Sequence, residues 1–157
     1  MEYLNWDSSQ KIFYLMDTLS GLDKRCISDG ERGREALEKN RRLVQSGFYT
    51  TDVSAVRANF SQWQNIRIVV GAIPDTLSAV QANRIAYLHL DMNCAPPEVA
   101  ALKYFWDRLV PGAFVLLDDY AYAGSEPQKA AMDAVAAARG LKILSLPTGQ
   151  GFLIKPA

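Results

Sequence analysis

Cysteine is scarce in this sequence: Cys26 and Cys94 are the two among 157 residues, and they form no CxxC pair. A disulfide scaffold or thiolate metal site therefore lacks ligands, and a reducing cytoplasm is the compartment this usage suggests. Net charge is missing as well, since 17 Lys and Arg offset 17 Asp and Glu. Without a basic excess there is no footprint for a phosphate backbone, which argues against nucleic acid as a partner. No apolar run approaches the length of a membrane span. The opening residues, Met1 to Gln10, carry Glu2, Asn5, Asp7 and Gln10 and do not read as a secretory leader. Repeats, low-complexity tracts and linkers are absent too, so a single domain over 1–157 is expected. At this length a chain buries roughly two-thirds of its unfolded surface, enough for a core without staples.

What is present alternates between two kinds of segment. Lys11 to Asp17 (KIFYLMD), Ile66 to Val70 and Ile85 to Asp91 are short, apolar and partly β-branched, and each ends in turn chemistry or proline. They read as buried parallel strands. Ser28 to Gly47 is charged and helix-favouring, and its Arg and Glu residues suit a solvated, salt-bridged face. Thr50 to Trp63 opens on capping residues and sets Val53, Val56 and Phe60 on one stripe, predicting a second helix. Pro97 suits the first turn of a third helix, whose stripe runs through Glu98, Ala101, Leu102, Phe105 and Leu109. A turn at Pro111-Gly112, a strand to Asp118, an Ala-rich helix from Gln128 to Arg139 and a hairpin around Pro147 to Gly151 complete the chain. The pattern predicts an α/β three-layer sandwich with a mostly parallel sheet and a C-terminal antiparallel hairpin.

Ligands of open parallel sheets bind beyond the carboxyl ends of the strands. Acids stand at several of those ends: Asp17, Asp91, and Asp118 with Asp119. Each alone could be a cap or turn former. Grouped carboxylates repel unless a cation or proton intervenes, so Asp91, Asp118 and Asp119 are candidates for holding a hard divalent ion such as Mg²⁺. Asp17 suits hydrogen bonds from ribose hydroxyls instead. His89, the one histidine, lies two residues before Asp91, which puts both on one face of an extended strand. It is either a general base or a hydrogen-bonded core residue. Cys94, Trp63, Phe105 and Trp106 read as inert or core side chains, and Gln150 and Tyr120 as guesses for acceptor contacts.

The stretch HLDMNCAPPEVAALKYFWDRLVPGAFVLLDDYAY, with MDTLSGLD, VRANF and GAIPDTL before it and LPTGQGFLIK after it, resembles the macrocin O-methyltransferase-like (TylF-like) family of class I S-adenosylmethionine-dependent methyltransferases. The resemblance runs from about Lys11 to Lys155. It implies a Rossmann-like sheet and Mg²⁺-assisted methyl transfer to a hydroxyl of a sugar or natural product. Asp91, Asp118 and Asp119 match the family's metal-binding acids, and Asp17 the acid near the cofactor's ribose. Where the family has Asp-Gly-Asp this chain has Asp91-Met92-Asn93, placing an amide at the position of the acid that takes the hydroxyl proton. An amide does not accept a proton near neutrality. Asn93 and His89 are therefore the catalytic candidates. Members of the family also carry a strand, a Gly-rich turn and a helix before the segment matching Lys11 to Asp17. The resemblance thus implies a sheet lacking its first βα unit, with open edges at Lys11 and Ile85 that a homodimer would compensate.

Two functions follow from these readings. One is a minimal, metal-assisted O-methyltransferase. The other is a non-catalytic remnant, a dimeric interaction module that does not bind the cofactor.

Overall fold

A computed structural model describes residues 5–27 and 29–157, the side chains of Glu31 and Arg32 excepted. The chain forms two compact units, Met1–Val80 and Gln81–Ala157. In the first unit, β1 (Phe13–Asp17) is followed by α1 (Glu31–Gln45), α2 (Val53–Asn59) and β2 (Ile66–Val70). Asp52 starts α2 by accepting hydrogen bonds at Oδ1 from the amides of Ser54 (2.8 Å) and Ala55 (3.1 Å). That cap starts the helix at Val53, the first residue of the expected stripe, while its end at Asn59 falls short of the expected Trp63. The start expected at Ser28 for α1 lies outside the described residues. β1 and β2 pair in parallel from Phe13 opposite Ile66 to Asp17 opposite Val70.

The second unit holds β3 (Ile85–Leu90), α3 (Ala95–Phe105), β4 (Leu109–Leu117), α4 (Glu126–Ala137), β5 (Leu144–Ser145) and β6 (Gly151–Ile154). Its sheet has the order β3-β4-β6-β5, with β3 and β4 parallel and the terminal hairpin antiparallel. The α/β class, the parallel pairing and the hairpin are as the sequence led one to expect. Among the described residues, β1 ends the sheet of the first unit and β3 ends that of the second, the two edges expected to be open. Pro111 and Gly112 do not delay β4, which begins at Leu109 and absorbs them as an irregularity between the pairs Ile85–Leu109 and Tyr87–Phe114. Gly112 still joins the ladder, donating its amide to the Lys155 carbonyl at 2.8 Å.

One face of this sheet is dry. Val115, Leu117, Leu90 and Leu153 are buried, as are Ala101, Leu102 and Phe105 of α3 and Met132, Val135 and Ala136 of α4. Alternation along a strand sends every second side chain there, and the stripe on α3 meets the same requirement at helical spacing. Burial of these apolar groups is the main source of stability in the unit.

The hairpin is held against the chain beyond β4. Ala121 donates its amide to the Gly149 carbonyl at 2.7 Å, and a Cβ at Gly151 would stand 2.5 Å from Tyr120 Cγ. Tyr120 has little freedom to retreat, because it is buried and its hydroxyl bonds Asp133 and Lys129 on α4. Gly151→Ala is expected to lower the unfolding free energy by about 1–3 kcal/mol through overpacking. Urea denaturation checks this, a fall in midpoint at constant slope being the expected result.

Candidate functional site at the strand ends

The register of β3 against β4 decides which acids come together. Leu90 lies beside Leu117, and the Asp118 amide donates to the Leu90 carbonyl at 2.9 Å. Asp91 and Asp118 therefore leave adjacent parallel strands at the same level. His89 sits one residue deeper, and its Nε2 lies 3.5 Å from Asp118 Oδ1. Gln150, on the hairpin, donates from Nε2 to the same oxygen at 2.7 Å and accepts at Oε1 from Thr148 Oγ1 at 3.0 Å.

Asp91 is held differently. Asn93 takes a left-handed backbone, φ 56°, which Asn tolerates better than most residues. From there its Nδ2 donates to Asp91 Oδ1 at 3.1 Å. The amide that replaces the family's acid is thus a donor to the neighbouring carboxylate.

The residue that the strand-end argument passed over is Glu98. It is buried in the first turn of α3, where its Oε1 accepts from the Met92 amide at 3.3 Å and from Gln128 Nε2 at 3.2 Å. Burial pushes its carboxyl up to about 7; the two hydrogen bonds oppose that shift, and the charges of Asp119 and Asp91 add to it. The signal was present in the sequence as a glutamate on the apolar stripe shared with Ala101, Leu102 and Phe105.

The sequence raised Mg²⁺ on Asp91, Asp118 and Asp119. Among the described residues, no three His, Cys, Asp or Glu side chains form a group that could hold a metal ion. Tyr120 turns out to be a structural post, since its hydroxyl bonds Asp133 Oδ1 and accepts from Lys129 Nζ at 2.8 Å. Cys94 stands at the N-cap of α3 with Sγ directed to the Met92 carbonyl at 3.4 Å. Phe105 and Trp106 are core, as their spacing suggested.

Asp17 belongs to the first unit and closes β1. Its Oδ1 accepts the Leu19 amide at 2.7 Å while Thr18 Oγ1 donates to the Gly21 carbonyl at 2.6 Å, so a tight turn presents the carboxylate beyond the strand. That is where a ribose-binding acid stands in a nucleotide-binding α/β sheet.

Comparison with known proteins decides the family. Residues 3–144 match the Macrocin-O-methyltransferase (TylF) family. The chain belongs to this family. Among curated relatives, it is 32% identical over 120 residues to 8-demethyl-8-(2,3-dimethoxy-alpha-L-rhamnosyl)-tetracenomycin-C 4'-O-methyltransferase of Streptomyces olivaceus, covering 73% of this chain and 44% of that protein. It is 24% identical over 119 residues to mycinamicin III 3''-O-methyltransferase of Micromonospora griseorubida, covering 73% of this chain and 46% of that one. The TylF-family chain thus spans less than half the length of the curated relatives it matches. Among solved structures, the O-methyltransferase NovP superposes with a TM-score of 0.76 at 19% identity, over 94% of this chain and 61% of that one. CalS11, a TDP-rhamnose 3'-O-methyltransferase, gives 0.58 at 19% identity over 98% and 62%. These likenesses establish a methyltransferase fold. Among the described residues, no helix is long and apolar enough to cross a membrane.

The raised Glu98 carboxyl has a consequence for stability. The folded chain holds this proton more tightly than the unfolded chain does. The contribution is therefore complete below about pH 4.5 and is lost as pH rises through about 7. The full loss is about 3 kcal/mol. Glu98→Gln, which keeps an acceptor for Met92 and Gln128, is expected to flatten that part of the profile and to be more stable than the parent at pH 8. Urea titrations from pH 5 to 8 in a chelator test this, and parallel profiles for the two proteins would refute it.

Proposed function

We propose that this chain carries the acceptor side of an S-adenosylmethionine-dependent O-methyltransferase acting on a sugar hydroxyl, and that its two units are parts of one methyltransferase domain. The observation carrying this reading is the level arrangement of Asp91 and Asp118 on adjacent parallel strands, with His89 beside Asp118, in a chain of the TylF family. Its support on the substrate side comes from two relatives whose names describe methylation of rhamnose-bearing molecules. When bound, S-adenosylmethionine would supply a sulfonium methyl group, which the acceptor oxygen takes as the S–CH3 bond breaks and the thioether S-adenosylhomocysteine leaves.

The residues of the chain divide the remaining work. Asp17 accepts hydrogen bonds from the ribose hydroxyls. His89 takes the proton of the acceptor hydroxyl as its oxygen attacks, and the Asp118 carboxylate orients the imidazole and balances the charge it gains. Gln150 holds Asp118 in place, and Asn93 does the same for Asp91, which with Asp119 offers acceptors to the other sugar hydroxyls. No step is assigned to Mg²⁺.

The second reading is a remnant without cofactor binding. Calorimetry separates the two. Micromolar binding of S-adenosylmethionine is expected, weakened at least tenfold in Asp17→Ala, and no heat at millimolar cofactor would leave the remnant. With a rhamnosylated acceptor, His89→Ala is expected to lower kcat on the order of 100-fold while leaving cofactor affinity unchanged. Full activity in that variant would remove His89 from the mechanism.

A further inference from the structure

We propose that Tyr122 is a stacking platform for the sugar ring of the acceptor, held in place by the hairpin turn that also carries Gln150. The inference rests on the sugar O-methyltransferase reading above and names the side chain by which that site recognises a pyranose. Two tyrosines follow the Asp118-Asp119 pair, and the fold uses them in opposite ways. Tyr120 is 3% exposed, and its hydroxyl bonds Asp133 and Lys129. Tyr122 is 50% exposed, and among the described residues its hydroxyl makes no hydrogen bond. A tyrosine that serves only as packing has no reason to keep half its surface and its polar tip in water.

Exposure here does not mean looseness. A Cβ at Gly149 would stand 3.0 Å from Tyr122 Cζ and 3.1 Å from both Cε1 and Cε2, so the glycine lies over the face of the ring and not at its edge. Gly149 also has φ 86°, a backbone that other residues rarely adopt. The chain on either side of the ring is tied down as well. The Ala121 amide donates to the Gly149 carbonyl at 2.7 Å, and the Ser125 amide donates to the Tyr122 carbonyl at 3.1 Å. Ordering of this side chain is thus largely complete before any ligand arrives, which lowers the entropic cost of binding.

A pyranose offers a patch of C–H groups on one face and hydroxyls around its rim. An aromatic ring backed on one side and free on the other meets the patch, and its phenolic oxygen meets a rim hydroxyl. The polar groups of the site belong to the same turn, since Gln150 follows Gly149 and donates to Asp118, which lies beside His89. A sugar stacked on Tyr122 is therefore seated on the turn that orients Asp118.

Nuclear magnetic resonance titration of the whole chain with methyl α-L-rhamnoside as probe tests the assignment. Upfield shifts of the sugar C–H protons are expected, the sign of protons held above an aromatic face. Tyr122→Ala is expected to weaken the affinity for the probe about tenfold, with the chain still folded by circular dichroism. Tyr122→Phe keeps the ring and is expected to stay within about threefold of the parent. Equal affinity in the parent and Tyr122→Ala would overturn the assignment while leaving sugar binding in place, whereas a parent that binds no rhamnoside would overturn it together with the sugar reading. A loss in Tyr122→Phe as large as that in Tyr122→Ala would also overturn it, because the hydroxyl and not the stacked face would then carry the contact.

Discussion

The parallel pairing of Ile85–Leu90 with the second half of Leu109–Leu117 is the constraint on which the strand-end site of this molecule rests. It is a backbone arrangement, closed at its end by the bond from the Asp118 amide to the Leu90 carbonyl. Because side chains alternate along each strand, that one register puts Leu90, Val115 and Leu117 into the core. It also sends His89 and Leu116 to the opposite face. The acids follow by continuation of the chain. A slip of one residue would exchange the faces and separate Asp91 from Asp118. The irregularity at Pro111-Gly112 lies before this stretch, so it leaves the strand ends level.

Negative charge collected at these strand ends is managed by neutral donors. Asp118 receives Gln150, Asp91 receives Asn93, and Glu98 receives Gln128 and the Met92 amide. Amide donors hold a carboxylate in position without neutralising it. Glu98, the buried member, answers the remaining repulsion and its own desolvation by holding its proton. Asp91, Asp118 and Glu98 are thus carboxyl groups oriented by amide donors.

Much of this was legible in the sequence, for identifiable reasons. Strands such as IRIVV and IAYLHL are short and apolar enough that no other element suits them, and the hairpin announces itself at Pro147 to Gly151. Strand-end position located Asp17, Asp91 and Asp118. Convergence was not legible, because it depends on side-chain direction: the same three acids at 91, 118 and 119 form no ion-binding group among the described residues. Tyr120 looked like a contact for an acceptor because it stands near the same sheet edge as Gln150, yet burial and the bonds to Asp133 and Lys129 give it a structural task. Glu98 was readable only by treating a charged residue on an apolar stripe as a signal. Helix ends were the least readable, since α2 stops at Asn59, short of the Trp63 at which the amphipathic segment was expected to end.

The contact between Gly151 and Tyr120 bears on how such a chain can change over generations. The hairpin from Leu144 to Ile154 is contiguous in the gene and lies next to the site through Gln150, so it is a natural piece to exchange between related enzymes. Yet the aromatic ring that presses on its second strand is encoded some thirty residues earlier and is tethered to a helix that the exchange would leave behind. A recombinant hairpin is accepted only if it brings glycine at 151 or arrives with a compensating change at 120. Packing therefore couples positions 120 and 151, although thirty residues of sequence separate them.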